Sequence, residues 1–358
     1  MTPEFWRGRR VLVTGHTGFK GAWLSLWLQR LGAEALGYAL DPPTSPSLYD
    51  AAGVGHGMAS VRGDVRDFAL LSQTFRRFRP EVVLHLAAQS LVRVSYEAPL
   101  ETYAVNVMGT AHVLEAARQT EGVRAVVVVT SDKCYENREW VWGYRENEPM
   151  GGNDPYSSSK GCAELVTAAY RRSYFPPERY AQHRTGVASA RAGNVIGGGD
   201  WARDRLIPDI MRAFAVGEPV VIRNPEAIRP WQHVLEPLHG YLTLAEALFH
   251  AGAEFAGAWN FGPDDDDACP VRQVVERLAA RWGAGAGWQQ DAGSHPHEAH
   301  YLKLDSSLAR ARLQWRPRLD LQGALDWVVE WYRGVAQGGS AREITLRQIE
   351  RFEGLGSE

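Results

Sequence analysis

Tyr156 and Lys160 stand four residues apart in Tyr-Ser-Ser-Ser-Lys, a spacing that puts both on one face of a helix. An ammonium beside a phenol favours the phenolate and lowers its pKa from about 10. Such a pair can take a proton from an alcohol while hydride leaves. Tyr-x-x-x-Lys is common by chance, so its surroundings decide whether it means anything. Thr130-Ser131-Asp132-Lys133 follows directly on Ala-Val-Val-Val-Val. Polar and charged groups at the end of a buried run are costly unless they are paired or used; a helix cap or a loop ion pair is the plainer alternative. Gly15, Gly18 and Gly21 form Gly-x-x-Gly-x-x-Gly between a short β-rich run and an amphipathic stretch. The first glycine permits a tight turn. The second lets the backbone approach a pyrophosphate, whose charge the helix N-terminus favours, and the third allows close helix–strand packing.

The elements needed to position these groups can be read from periodicity. Arg10–Thr14 reads as a strand, and Phe19, Ala22, Trp23, Leu26 and Trp27 lie on one helical face. Further strands are expected at 36–40, 58–61, 81–86, 125–130 and 185–190, with helices at 65–78, 101–118 and 156–174 between them. Strands alternating with helices predict βαβ units and an α/β fold with a Rossmann-type doubly wound parallel sheet. After Arg191 the texture changes, with Pro208, Pro219, Pro225 and Pro230 and later helices at 238–249, 271–281 and 321–332. A smaller mixed C-terminal lobe is expected from 193–229 plus 262–358, against a dinucleotide-binding lobe of 1–192 plus 230–261. The aspartates at 264–267 read as a solvated loop, and Gly197-Gly198-Gly199 as a flexible loop over a nucleotide. Asp41, closing the second strand with no arginine directly beside it, favours NAD over NADP through its hydrogen bonds to a ribose. Asp64 could reach an adenine amino group or cap the next helix.

The pieces TGHTGFKG (14–21), HLAAQ (85–89), TSDKCYE (130–136), YSSSK (156–160), RAGNVIGGGDW (191–201) and RPWQHV (229–234) occur in this order. On these motifs the chain resembles the extended short-chain dehydrogenase/reductase family of nucleotide-sugar enzymes. His16 and Lys20 in the glycine turn, Ser131-Asp132-Lys133 and the 41–49 stretch resemble the 4,6-dehydratase branch that acts on CDP-glucose. Branches acting on dTDP sugars typically carry Thr-Asp-Glu where Lys133 stands. The resemblance implies that Gly15, Thr17, Gly18, Phe19 and Gly21 hold the NAD pyrophosphate. It gives Asp41 the ribose, Asp64 and Val65 the adenine, and Leu86, Ala87 and Ala88 the nicotinamide side, where Tyr156 and Lys160 also meet the cofactor. It assigns Ser131, Asp132, Lys133, Tyr156 and Lys160 to catalysis. Gln89 falls on the substrate side, Asn194 and Arg229 on the diphosphate, which suits a planar guanidinium, and Tyr301 toward the sugar or base. The family also implies a homodimer through a four-helix bundle, an isologous interface.

In a 4,6-dehydration, Asp132 would protonate the departing C6 hydroxyl, which needs a raised carboxyl pKa. Lys133 would move the C5 proton, which needs a lowered one. An Asp132–Lys133 ion pair would push both the wrong way. A 4-epimerase of a UDP sugar and a non-catalytic dinucleotide sensor remain the other readings, the first having no use for Asp132-Lys133 and the second none for Tyr156, Lys160 and Asp132 together. Trp140 and Trp142 either cap a sugar pocket or simply pack. Cys134 and Cys162 read as small packing residues. No metal is expected, although His295, His297 and His300 are closely spaced.

The composition sets outer bounds. The chain has 358 residues, 45% of them hydrophobic, and a net charge of −3 with no basic tract, so nothing favours nucleic acid. No apolar stretch approaches the roughly 20 residues of a membrane span. Three cysteines without Cys-x-x-Cys spacing fit a reducing cytoplasm better than a disulfide framework.

Overall fold

The computed structural model describes residues 1–283, 285–291, 293 and 301–356; His295, His297 and His300 lie outside the described residues. Seven strands form the main sheet: Arg10–Thr14 (β1), Glu34–Ala39 (β2), Ala59–Arg62 (β3), Val82–His85 (β4), Ala125–Val129 (β5), Gly186–Ala192 (β6) and, after three strands of the second lobe, Ala258–Phe261 (β10). Their order is β10-β6-β5-β4-β1-β2-β3, and every pairing is parallel. Continuous apolar runs such as Ala125–Val129, buried at every position, suit strands covered on both faces. The chain winds outward from β1 to β3, then returns to β4 on the other side of β1. This reversal opens a crevice beyond the C-terminal ends of β1 and β4.

The helix Phe19–Arg30 follows β1, and Pro155–Ser173 follows β5 after a long connection. The expected single helix at 101–118 is interrupted by a π-helical stretch, Ala104–Met108. Its bulge turns the buried Asn106 side chain inward, where the amide donates to Gln89 O (3.0 Å) and Ser159 Oγ (2.8 Å). Such π-bulges recur at functional sites.

The second lobe carries Asn194–Ile196 (β7), Val220–Ile222 (β8), Ile228–His233 (β9), Ala268–Pro270 (β11) and Trp288–Gln290 (β12), in a β11-β9-β7 sheet and a β12-β8 pair. It has its own core, including Ile207, Ile210, Phe214, Val275, Leu278 and Leu325. The helix Leu321–Ala336 bridges the lobes: Leu325 and Val328 face this core, while Trp327 and Trp331 join the core of the first lobe. The helix Ala341–Gly354, expected in the second lobe, instead packs on Phe19–Arg30. There Glu353 accepts from Trp27 Nε1 (2.8 Å), and Arg342 donates to Ala52 O (3.2 Å).

Of two loop expectations, the one for the glycine run changes. Gly197–Gly199 is buried and clamped: Gly198 O accepts from Trp23 Nε1 (2.9 Å), and a Cβ on Gly198 would come within 1.9 Å of Trp331. The acidic run is exposed at Asp264, Asp265 and Asp266, as expected of a solvated loop, and only Asp267 is buried, accepting from Leu321 N (2.8 Å).

Candidate active site

The glycine turn is a backbone cradle. Gly15 has φ +77°, and a Cβ there would approach Ala87 N to 2.7 Å. On Gly21 a Cβ would stand 2.1 Å from Gly15 O, whereas at Gly18 it would meet only Gly15 O at 3.5 Å. Steric packing therefore demands Gly15 and Gly21, and Gly18 leaves its backbone open at the helix N-terminus, where an anion is favoured. Thr17 Oγ1 donates to Leu40 O (3.0 Å). Phe19 opens the helix. His16 lies beneath the turn with Nε2 2.7 Å from Ser60 Oγ. It fills the space that Gly37 leaves, since a Cβ there would lie 2.2 Å from the imidazole, and burial pushes its pKa down to about 4.

The adenosine end departs from expectation. Arg62 Nε stands 2.9 Å from the exposed Asp41 carboxylate, so an arginine does sit beside it, brought there because β2 and β3 pair Ala39 with Arg62. Asp64 is held by Arg66, which donates to both of its carboxylate oxygens, and this pairing lowers its pKa. Asp67, not Asp64, caps the following helix, accepting from Leu70 N (3.0 Å). Val65 O accepts from His112 Nδ1 (2.8 Å).

On the nicotinamide side, Leu86, Ala87 and Ala88 continue β4. Leu86 N donates to Thr14 O (3.1 Å) and Ala87 N to Thr14 Oγ1 (3.2 Å). Thr14 Oγ1 lies 2.7 Å from His85 Nδ1, His85 Nε2 lies 3.2 Å from Thr110 Oγ1, and Thr110 donates to Asn106 O (2.7 Å). The last donation makes Thr110 an acceptor for Nε2–H, so the whole chain runs in one direction with a neutral imidazole, whose pKa burial lowers to about 3.

Beyond β5 the structure brings the expected catalytic residues together. Asp154 caps the Pro155–Ser173 helix through Ser157 N (2.9 Å), and that helix carries Tyr156 and Lys160, both buried. Ser131 Oγ donates to Asp132 Oδ1 (2.9 Å) and accepts from Lys133 N (3.2 Å), and it lies close enough to the Tyr156 phenol to influence it. Asp132 is 3% exposed. Its Oδ2 has no hydrogen-bond partner and faces Gly193, where a Cβ would lie 2.8 Å away. Burial raises the Asp132 pKa against the opposing charges of Lys133 and Arg229, the direction a general acid needs. The Tyr156 expectation is reversed: burial pushes its phenol up to about 12, with Ser131 and Arg205 opposing. Lys160 donates to Val129 O (3.4 Å), and burial lowers it to about 8. A dry pocket thus sets the direction, and the groups that oppose it are Ser131 and Arg205 rather than the lysine read from the spacing.

The substrate-side residues divide. Asn194 begins β7 opposite Trp231, and Arg229 lies in β9 close enough to influence Asp132. Gln89 spends its amide on the turn, donating to Leu91 O and Thr102 Oγ1 (both 3.0 Å). Tyr301 O accepts from Asn137 Nδ2 (3.1 Å), and Lys303 lies over its ring. Trp140 stacks on Tyr144, with Trp142 exposed at its edge. Cys134 is buried and Cys162 half-buried.

The sequence reading gave no role to Lys20 and did not find Arg205. Arg205 donates to Asp200 Oδ2 (3.0 Å) and Ser90 Oγ (2.9 Å). Lys20 lies among Arg205, Lys160, Asp132 and Asp200, and burial takes its pKa down to about 7. A signal for Lys20 was available: the chain has only four lysines, Lys20, Lys133, Lys160 and Lys303, and three stand here. Lysine, unlike arginine, shifts its pKa readily on burial.

A profile described as the NAD dependent epimerase/dehydratase family matches residues 11–256. The chain belongs to that family. It is 57% identical to the CDP-glucose 4,6-dehydratase of Salmonella typhimurium, over 98% of this chain and 97% of that protein. Among solved structures it resembles the Thermus thermophilus UDP-glucose 4-epimerase in complex with NAD, at TM-score 0.76 and 27% identity, covering 91% of this chain and 99% of that one. The dTDP-glucose 4,6-dehydratase of Bacillus anthracis in complex with NAD shares the fold at TM-score 0.76 and 20% identity, over 92% and 98% of the two chains. The family's cofactor fits the cradle, where only Gly18 leaves room above the helix N-terminus. Among the described residues no helix is long and apolar enough to cross a membrane, and no cluster could hold a metal ion.

Proposed function

We propose that the protein catalyses the NAD-dependent 4,6-dehydration of CDP-glucose to CDP-4-keto-6-deoxyglucose, a hydro-lyase reaction. Asp132 carries the reaction class: a buried carboxyl with a raised pKa, joined to Ser131 beside Tyr156. The 57% identity over nearly the whole chain supports the CDP sugar. When bound, NAD supplies the acceptor for the C4 hydride and its return to C6, so the net reaction is loss of water.

Tyr156 takes the proton of the C4 hydroxyl, with Ser131 sharing its hydrogen bond. Lys160 holds positive charge behind it, which offsets the cost of a phenolate in a dry pocket. Lys133 removes the C5 proton, made acidic by the 4-ketone, and returns a proton to C5 as the hydride comes back to C6. Asp132 delivers its proton to the C6 hydroxyl, which leaves as water. Asn194 and Arg229 hold the diphosphate from the second lobe, and Gln89 and Tyr301 bound the sugar end. Thr17, Phe19, Asp41, Asp64 and Val65 bound the cofactor's pyrophosphate and adenosine. Residues 1–192 and 230–261 form the NAD lobe, and 193–229 with 262–340 the nucleotide-sugar lobe.

Two copies pair through the helices flanking the π-stretch and Pro155–Ser173, where Leu100, Met108, Leu165 and Tyr174 are exposed apolar residues; sedimentation at the monomer mass would refute this. The cytoplasm suits the three free thiols. Turnover of CDP-, UDP-, dTDP- and GDP-glucose with added NAD tests the assignment, read as a product lighter by one water. Product from CDP-glucose is expected. Product from another nucleotide alone overturns the substrate, and an isomer of unchanged mass overturns the reaction.

A further inference from the structure

Beneath the catalytic set lies a buried ion pair that none of these steps uses. Glu164 stands one turn beyond Lys160 on the same helix. Its Oε1 accepts from Thr130 Oγ1 and Arg191 Nε (2.9 Å), and its Oε2 from Ser189 Oγ (2.6 Å) and Arg191 Nη2 (2.8 Å). Arg191 Nη1 donates onward to Tyr135 OH (2.6 Å) and Glu146 O (3.1 Å), and Tyr135 OH donates to Asn260 Oδ1 (2.8 Å). The Glu164 and Arg191 side chains are 5% and 4% exposed.

The network joins separate pieces of chain at the points that matter. Thr130 immediately precedes Ser131, and Tyr135 ends the turn that begins at Asp132. Ser189 and Arg191 belong to β6, and Asn260 to β10. A buried ion pair is weak evidence for stability, since well-packed apolar residues commonly do as well, and full hydrogen bonding favours a role in fixing geometry. We propose that Glu164, clamped by Arg191, is a positioning residue of the reaction: it locks the helix carrying Tyr156 and Lys160 to the strand end carrying Ser131 and Asp132, and acts through Lys160. This rests on the dehydratase assignment for its kinetic consequence.

The charges around Lys160 fit that role. Its own helix presents Tyr156 and Glu164, and the glycine-turn helix presents Lys20. β4 presents His85, which burial keeps neutral. The turn after β5 presents Cys134, whose thiol burial also keeps neutral, with Asp132 on its other side. Arg191 approaches from β6 but is covered by Glu164. Glu164 is thus the carboxylate that offsets the burial of the Lys160 ammonium.

Glu164→Gln removes the charge and keeps the shape. Lysine labelled with ¹³C at the ε-carbon reports each ammonium directly, with only four signals to assign and that of Lys160 identified by its loss in Lys160→Met. The Lys160 midpoint is expected to fall by about one pH unit, the lower end of the effect of an adjacent opposite charge. The alkaline limb of kcat on CDP-glucose should move with it, a loss of about tenfold above the wild-type limb, with KM little changed. Glu164→Asp, which retains the charge, should restore the midpoint. The double variant Glu164→Gln/Arg191→Met removes both buried charges, so it covers the case in which Glu164→Gln folds poorly; a smaller fall in the same direction is expected, because a more distant cation leaves with the carboxylate. An unmoved Lys160 midpoint in either folded variant overturns the proposal. Failure of the wild type to make a 4-keto-6-deoxy product would sink the dehydratase assignment instead, while the titration would still decide the role of Glu164.

Discussion

The two walls of the cleft are made by opposite means. The cofactor wall is backbone: three glycines within seven consecutive residues, two of them placed so tightly that a single methyl group would strike main-chain atoms at 2.7 and 2.1 Å. The wall proposed to meet the substrate is side chains brought from far apart. Arg205 reaches Ser90 across 115 residues of sequence and lies close enough to Tyr156 and Lys20 to influence both. A wall of backbone fixes one ligand shape and has no freedom to adjust. A wall of long side chains can be retuned residue by residue without disturbing the fold. The contrast suits a family whose members keep one cofactor and change their sugar.

The sharpest test lies where the walls meet. Tyr156→Phe should lower kcat by about 10²–10⁴-fold, the usual worth of a positioned acid or base, with a far smaller change in calorimetric NAD affinity. Lys133→Ala should abolish uptake of deuterium at C5 from heavy water and leave C4 oxidation detectable as reduced cofactor; normal uptake would remove Lys133 from its role. Gly21→Ala and Arg205→Ala separate the walls. The first forces a backbone shift costing about 1–3 kcal/mol, so NAD binding should weaken roughly tenfold or more. The second should raise KM for the sugar nucleotide and leave NAD binding alone. Equal effects of both variants on NAD would break the distinction.

The smallest effect concerns the seam between the lobes. Glu236 opens the Leu235–Phe255 helix and accepts from Arg318 N (3.0 Å) and Leu319 N (2.8 Å), just before the bridging helix. Burial raises its pKa from 4.5 to about 7. A group raised on folding contributes stability that is fully present below its unfolded pKa and is lost as pH rises through the folded one. Melting of the wild type should therefore soften between about pH 4.5 and 7, and Glu236→Gln, which stays neutral, should flatten that slope. A slope unchanged in the variant would move the effect elsewhere.

Much of the cofactor wall was legible because it is local. The glycine turn, the apolar β5 run and Tyr156-Ser-Ser-Ser-Lys160 each sit within a few residues, and their periodicities are short. The pairing of Asp41 with Arg62 was not, because it depends on the register of β2 against β3. The direction of the Tyr156 shift was missed for a related reason. Spacing shows the nearby cation, but only the folded pocket shows the burial that sets the direction. Glu164 and Arg191 look like any charged residues until the sheet brings them together. The π-stretch at Ala104–Met108 left no mark in the 3.6-residue pattern around it, yet it aims Asn106 at Gln89 and Ser159.

The helix Ala341–Gly354 has a further consequence, in the order of synthesis. Trp27 on the glycine-turn helix is held by Glu353, 326 residues later, and Phe352 and Ile349 complete the core that Trp23 and Trp27 begin. A nascent chain commonly folds its N-terminal domain first. Here the core around Trp23 and Trp27 emerges from the ribosome with one side uncovered, and the turns that cover it follow only 326 residues later.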